Sequence, residues 1–375
     1  MCCCRRVWRK SAAKRGDSGS GLARTLCPEG RFAPDARVHP FPPQSPSGDA
    51  GEVLRIQPEV FLRRRYPAAV VVYTLCRPAR PMAVRADGMD RVAEVTVEPS
   101  GLMVRPIPGT GEPLPVVGLG TSRTFDVGRD PARRTGPREV LRLFAQSAAR
   151  VVDSSPMYGS AEAVVGDLTQ ELGLGGRLFL ATKVWVQGRD EGVRQMEESL
   201  KRLRVNCLDL MQVHNLVDWM THLKTLRAWK EQGRVRYIGV THYSESAYPE
   251  LERALKTGDI DFLQVNYSIV STAAERRLLP LARERGVAVL VNRPFEEGGL
   301  FARLRGRPLP PWATQFDCSS WAQFMLKFIL SHPAVTCVIP ATDKPDHARD
   351  DLQAGRGGLP DMARRTQMVR ILTGV

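Results

Sequence analysis

None of the eight cysteines forms a Cys-x-x-Cys pair, and none stands at a zinc-ligand spacing from a histidine. This excludes a dithiol redox centre and a structural zinc site. His222, His242, His332 and His347 also lack metal-ligand spacing, so no metal is expected. No apolar run approaches the roughly 18–20 residues that span a bilayer. The best candidate, residues 67–76 behind Arg63-Arg64-Arg65, is the size of a signal peptide but starts far from the N-terminus, where a secretory signal does not belong. No Gly-x-Gly-x-x-Gly follows a strand-like segment, and there is no Walker A sequence; the nearest fragment, Gly118-Leu119-Gly120, carries Arg123 at the third glycine position. A doubly wound sheet gripping a dinucleotide through a glycine loop therefore lacks its main signature.

Positive charge is plentiful. The 375 residues carry a net charge of +14, and residues 1–100 hold 17 Lys+Arg against 10 Asp+Glu, half of that excess. The basic segment contains no nucleic-acid module and no aromatic residues interleaved for base stacking, so it reads as a solvated tail and no specific nucleic-acid partner is expected. Residues 1–101 also hold 11 of the 28 prolines and five cysteines (Cys2, Cys3, Cys4, Cys27, Cys76). They lack sustained periodicity and are expected to be a low-complexity, disordered segment, because they bury too little apolar surface to offset chain entropy. Met82, Met89 and Met103 are internal methionines from which translation could begin with little loss of recognisable structure. Cys207, Cys318 and Cys337 lie in apolar surroundings, where cysteine behaves as a small hydrophobe, and the body of the chain reads as reduced and cytoplasmic.

From residue 102 the texture changes. A hairpin is expected across 103–107 and 114–117, turning at Gly109-Thr110-Gly111. After it come eight strand-like segments, at 116–120, 151–154, 178–183, 208–214, 237–241, 262–267, 288–292 and 336–340. Amphipathic stretches alternate with them, among others 138–149, 191–203, 220–232, 248–256, 273–285, 320–330 and 343–354. Eight β/α units over residues 102–375 predict a (β/α)8 TIM barrel with an N-terminal β-hairpin.

Three consecutive strands end in ionisable groups. Asp153 lies at the end of the second and Tyr158 just beyond it; Lys183 closes the third; His214 closes the fourth. Strand C-termini of a parallel barrel share one rim, so a carboxylate, a phenol, an amine and an imidazole can meet there. Each has an ordinary alternative when taken alone, whether a surface tyrosine, a solvated lysine, a helix-capping aspartate or a core histidine. Their joint order points to a tuned proton donor.

These residues resemble the aldo/keto reductase family. Leu114-Pro115-Val116-Val117-Gly118-Leu119-Gly120-Thr121 is similar to that family's first barrel strand. Asp153 with Tyr158, Ala181-Thr182-Lys183 and Gln212-Val213-His214-Asn215 resemble its catalytic tetrad, and Ile238-Gly239-Val240-Thr241 and Gln264-Val265-Asn266-Tyr267 continue the likeness. The resemblance implies reduction of a small aldehyde or ketone by NADPH, or NADH, bound extended at the barrel mouth. Tyr158 would be the general acid, Lys183 would lower its pKa, Asp153 would hold Lys183, and His214 would orient the carbonyl.

The same resemblance assigns cofactor contacts to Thr121, Thr241, His242, Gln264, Asn292, Arg293, Thr342, Lys344 and His347. Gln264 matches the residue that binds the nicotinamide carboxamide, and Arg293 falls where the pyrophosphate is met. By the same resemblance Lys344 would contact a 2′-phosphate, and the N-terminus of the following helix would also favour an anion. Asp343 and Asp351 stand where Ser and Asn are usual and add negative charge. Trp185 is a candidate pocket wall, and 295–316 a candidate loop over the mouth whose Arg303, Arg305 and Arg307 could attract an anion. A rival class is a regulatory protein that keeps the barrel and the nucleotide but turns over slowly.

Overall fold

The computed structural model describes residues 95–374. The expectations placed on the basic segment, on residues 67–76 and on Met82 and Met89 lie outside the described residues. Short apolar runs set the architecture: β4 (Leu119–Gly120), β5 (Val151–Asp153), β6 (Phe179–Val184), β7 (Leu208–His214), β8 (Val235–His242), β9 (Phe262–Asn266), β10 (Ala288–Asn292) and β11 (Cys337–Val338) pair in chain order, every neighbour parallel. Such strands are buried on both faces, which is why they read as nearly continuous hydrophobic stretches rather than alternating ones.

Parallel bridges Val117–Val338 and Gly120–Ala341 join the first strand segment to the last. The amides of Gly118 and Gly120 donate to the carbonyls of Val338 and Pro340, each at 2.8 Å, and close the ring. A Cβ on Gly118 would lie 2.8 Å from Val151 Cβ, and one on Gly120 2.9 Å from the Ile339 carbonyl oxygen, so this seam admits only glycine.

Inside the ring, Val151, Phe179, Ala181, Leu210, Tyr237, Phe262, Ala288, Leu290, Cys337 and Ile339 form one buried cluster. The rings of Phe179 and Tyr237 stack at 6.0 Å, and Phe262 meets Tyr237 edge-on at 5.5 Å. The N-terminal strands β1 (Thr96–Val97), β2 (Met103–Pro106) and β3 (Pro113–Pro115) form a small antiparallel sheet. Ile107 and Leu114 from this sheet join the interior cluster and fill the N-terminal end of the barrel. β1 lies before the expected boundary at residue 102 and adds a third strand to the hairpin.

The outward strand residues pack under helices α1 (Pro131–Gln146), α2 (Ala161–Glu171), α3 (Arg189–Leu203), α4 (Trp219–Glu231), α5 (Tyr248–Lys256), α6 (Leu278–Glu284), α7 (Gly299–Leu304), α8 (Trp321–Leu330), α9 (Pro345–Gln353) and α10 (Met362–Thr373). Several differ from the pattern read in the sequence. α1 starts seven residues before 138, because Asp130 Oδ1 caps the amide of Ala132 at 2.9 Å and Pro131 sits at N1, where a missing N–H costs nothing. The stretch 273–285 divides into a 3-10 turn and α6 at Arg277, just ahead of Pro280. The expected loop 295–316 contains two 3-10 turns with α7 between them. α10 is held by Arg365, which donates to Phe328 O, to Ser331 Oγ at 2.7 Å and to Tyr267 Oη at 2.7 Å, and pairs with Glu275 at 2.5 Å.

α2 crosses α3 at Gly166, where an added Cβ would lie 2.2 Å from Arg202 O and 3.0 Å from Leu203 Cα. An Ala for Gly exchange inside a helix ordinarily stabilises by about 1 kcal/mol. At this crossing the backbone must move, so Gly166→Ala is expected to destabilise the fold by about 1–3 kcal/mol. Chemical denaturation measures this directly, and an unchanged or higher midpoint would refute the close-approach argument.

Candidate active site

Parallel register carries the ionisable groups to one rim. Asp153 lies opposite Ala181, Lys183 opposite Gln212, His214 opposite Thr241, and Thr241 opposite Gln264. Lys183 is fully buried, with its Nζ 2.6 Å from Asp153 Oδ2 and 2.6 Å from the Ser154 carbonyl oxygen. The second carboxylate oxygen of Asp153 accepts from Gln264 Nε2 at 2.9 Å and from Gln212 Nε2 at 3.2 Å. Thr241 Oγ1 donates to Gln264 Oε1 at 3.0 Å, and Thr121 Oγ1 to Asp153 O at 2.9 Å. A charge pair this deep persists only when its remaining hydrogen-bonding capacity is met, and here it is. Burial alone would push the Lys183 ammonium down, but Asp153 and the Tyr158 phenol outweigh it and the net direction is up, so the amine stays charged.

Tyr158 is delivered by a tight turn over 155–158, with Pro156 at its second position and the Tyr158 amide donating to Ser155 O at 3.0 Å. The Lys183 Nζ lies 5.0 Å from its ring centroid. As read from the sequence, this ammonium pulls the phenol's pKa down. The net direction is instead upward: burial raises it most, Lys183 pulls it down, and Asp153 raises it again. The phenol has lost most of its water, and the Asp153 carboxylate offsets part of the ammonium's pull. In this state Tyr158 holds its proton.

His214 is 7% exposed, and its ring meets Tyr158 edge-on at 5.9 Å. Its Nδ1 is 3.0 Å from Ser155 Oγ. Burial first, then the charge of Lys183, pushes its pKa down to about 2, so the imidazole is neutral. The rim thus presents a protonated phenol and a neutral imidazole above a buried, paired lysine.

Tyr158, His214 and Asp153 help line a cavity of about 1050 Å³, with Lys183 buried behind them. Among the residues assigned to a cofactor, Thr121, Thr241, Gln264, Asn292, Arg293, Thr342 and His347 line it; His242 and Lys344 do not. His242 stacks on Tyr243 at 5.3 Å and its Nδ1 accepts from the Ser244 amide, while Tyr243 faces the cavity in its place. Lys344 occupies the N-cap position of α9 and is exposed. The amide of Gln264 is bonded at both ends within the protein, whereas Asn292 Oδ1 is buried with no partner.

Trp185 is 41% exposed and is not part of the lining; Arg303 and Arg307 donate to the α10 carbonyls of Leu372 and Ile371. A link not legible in the sequence joins the loops over the mouth, where Glu297 pairs with Arg123 at 3.1 Å and with Arg293 at 3.3 Å. Arg123 reaches it from a left-handed backbone conformation, φ 64°, that favours glycine. Asp351 also lines the cavity at 3% exposure, and burial followed by the charge of Asp350 pushes its carboxyl well above the usual range, so it adds less negative charge than a residue count implies.

Comparison with known proteins identifies the family and the fold. The sequence model of the aldo/keto reductase family matches residues 116–363. A methylglyoxal reductase, YeaE, of Escherichia coli is 28% identical over 237 residues, which are 60% of this chain and 80% of that protein. The aldo-keto reductase str7 of Strobilurus tenacellus is 34% identical over 216 residues, 50% of this chain and 62% of that protein. The solved structure of an aldo-keto reductase from Klebsiella pneumoniae in complex with NADPH superposes with a TM-score of 0.60 at 24% identity, covering 71% of this chain and 94% of that one, a likeness of fold.

Proposed function

The chain belongs to the aldo/keto reductase family, and from that premise we propose that it reduces a small aldehyde or ketone to an alcohol using NADPH, with NADH as the alternative donor. The observation that carries this reading is the 2.6 Å pair of Lys183 and Asp153 buried beneath Tyr158 at the rim of the cavity. The lining suits an extended dinucleotide. The unpaired Asn292 Oδ1 and the hydroxyls of Thr121, Thr241 and Thr342 suit its polar groups, and the Arg293 guanidinium suits a phosphate. Gln264 and His347 line the same space, while His242 and Lys344 are kept as contacts only at its edge. When bound, the dinucleotide supplies a hydride.

The chain's own groups do the rest. The His214 imidazole donates to the carbonyl oxygen and holds the substrate in line. Tyr158 hands its phenolic proton to that oxygen as negative charge develops there. Lys183 stabilises the phenolate left behind, and Asp153 keeps the ammonium charged and aimed. We place the activity within residues 102–375. Among the described residues no helix is long and apolar enough to cross a membrane, and we assign the protein to the cytoplasm.

The relatives named as methylglyoxal reductases make dicarbonyls the first substrates to try. Purified protein mixed with NADPH or NADH and a panel of aldehydes, dicarbonyls and quinones is expected to consume the reduced cofactor. Cofactor that binds tightly but is consumed with no carbonyl compound would favour the regulatory reading. Absence of both binding and turnover would overturn the assignment.

A further inference from the structure

The loop between Asp153 and Tyr158 holds a residue that the proposed mechanism leaves without a role. Ser155 is fully buried at the start of the 155–158 turn. Its carbonyl accepts from the Tyr158 amide at 3.0 Å, and its Oγ lies 3.4 Å from the Met157 amide and 3.0 Å from His214 Nδ1. One residue therefore contacts the His214 ring directly and the backbone of Tyr158.

A neutral imidazole carries a single N–H, and the two tautomers differ in what they offer the cavity. If Nδ1 held the proton, it would donate to Ser155 Oγ. Nε2 would then be a bare acceptor facing the pocket, repelling the lone pairs of a carbonyl oxygen. The serine proton would also be stranded, since among the described residues no second acceptor lies within reach of that buried hydroxyl. In the other arrangement Ser155 accepts from the Met157 amide and donates to Nδ1, so both partners are satisfied and the ring's one N–H is at Nε2. Buried hydroxyls without an acceptor are disfavoured enough to decide between the two.

We infer that Ser155 is a positioning residue that fixes His214 as its Nε2–H tautomer, so that the imidazole acts toward the substrate as a hydrogen-bond donor. This rests on the carbonyl-reductase reading for its consequence, and on the buried contacts alone for the tautomer. The turn couples the two outcomes: the backbone carbonyl of Ser155 places the proton donor Tyr158, and its side chain orients the second donor. The cofactor takes no part in either contact.

The test is Ser155→Ala, with Ser155→Thr as the variant that keeps a hydroxyl. In wild-type protein labelled with 15N at histidine, the His214 signals are expected to show an unprotonated, hydrogen-bond-accepting Nδ1 and a protonated Nε2 across pH 5–8. Ser155→Ala is expected to give a mixture of tautomers and a fall in kcat/KM of roughly tenfold or more, expressed mainly in kcat. NADPH affinity, read by fluorescence titration, stays within about twofold of wild type. Ser155→Thr restores both the nitrogen spectrum and most of the rate. A protonated Nδ1 in the wild type, or an alanine variant with an unaltered His214 spectrum and unaltered kcat/KM, would overturn the inference. The nitrogen spectrum needs neither cofactor nor substrate. A wild-type chain with the expected tautomer and no carbonyl turnover would therefore sink the reductase reading by itself.

Discussion

Tyr158→Phe is expected to lower carbonyl reduction by two to four orders of magnitude, the usual contribution of a positioned general acid. The change removes one oxygen from a half-buried side chain and leaves the ring, its edge contact with His214 and the turn over 155–158 intact. Stability and cofactor affinity should therefore change little, and the loss should fall on kcat. The pH profile of the unaltered protein gives a second reading of the same group. Burial holds the Tyr158 phenol above its ordinary value, so the proton needed for reduction is present throughout the neutral range and is lost only as pH rises through the raised pKa. His214, at about 2, stays uncharged over the same interval. The reduction rate at saturating cofactor should thus be flat from about pH 6 to 8, apart from groups that act on binding. A phenylalanine variant with wild-type turnover would remove Tyr158 from the mechanism, and an acid limb centred near the ordinary histidine value would contradict a permanently neutral His214.

The second large effect is on folding. Lys183→Met is expected to destabilise the protein by about 3–5 kcal/mol, because it leaves the Asp153 carboxylate buried without its counter-charge. Gln212 and Gln264 still donate to that carboxylate, but two neutral amides do not replace an ammonium at 2.6 Å. Adding Asp153→Asn to the lysine variant removes the stranded charge, so the double variant should recover much of the stability and none of the activity. Denaturant titration of the wild type, of Lys183→Met and Asp153→Asn singly and of the double variant completes the cycle. Equal stability of wild type and Lys183→Met would show that the pair contributes nothing net. The pH dependence has a definite direction. The folded-state pKa of Lys183 lies above its ordinary value of about 10.5, so its stabilisation is present in full below that value and is lost as pH rises through the raised one.

What the sequence disclosed follows from where its physics is local. A strand buried on both faces is written as a run of apolar residues, and a polar residue that ends such a run is conspicuous; Asp153, Lys183 and His214 were all visible in this way. Glu297 gave no such sign, because its link to Arg123 and Arg293 joins two different loops over the mouth and depends on their backbone conformations. α2 was hard to read for a related reason: Gly166 weakens the helical pattern locally and is justified only by a neighbouring helix more than thirty residues away. The direction of the Tyr158 shift was likewise hidden, since the lysine could be named from the sequence while the depth of burial could not. His242 and Tyr243 illustrate the smallest such gap. Tyr243, one residue past the end of β8, lines the cavity, while the His242 ring stacks on it and accepts from the Ser244 amide.

With Ile107 and Leu114 wedged among Phe179, Tyr237 and Phe262, the lumen is a cul-de-sac. On the proposed reading, carbonyl compound enters and alcohol leaves on the side where Tyr158 and His214 line the cavity, away from this plug.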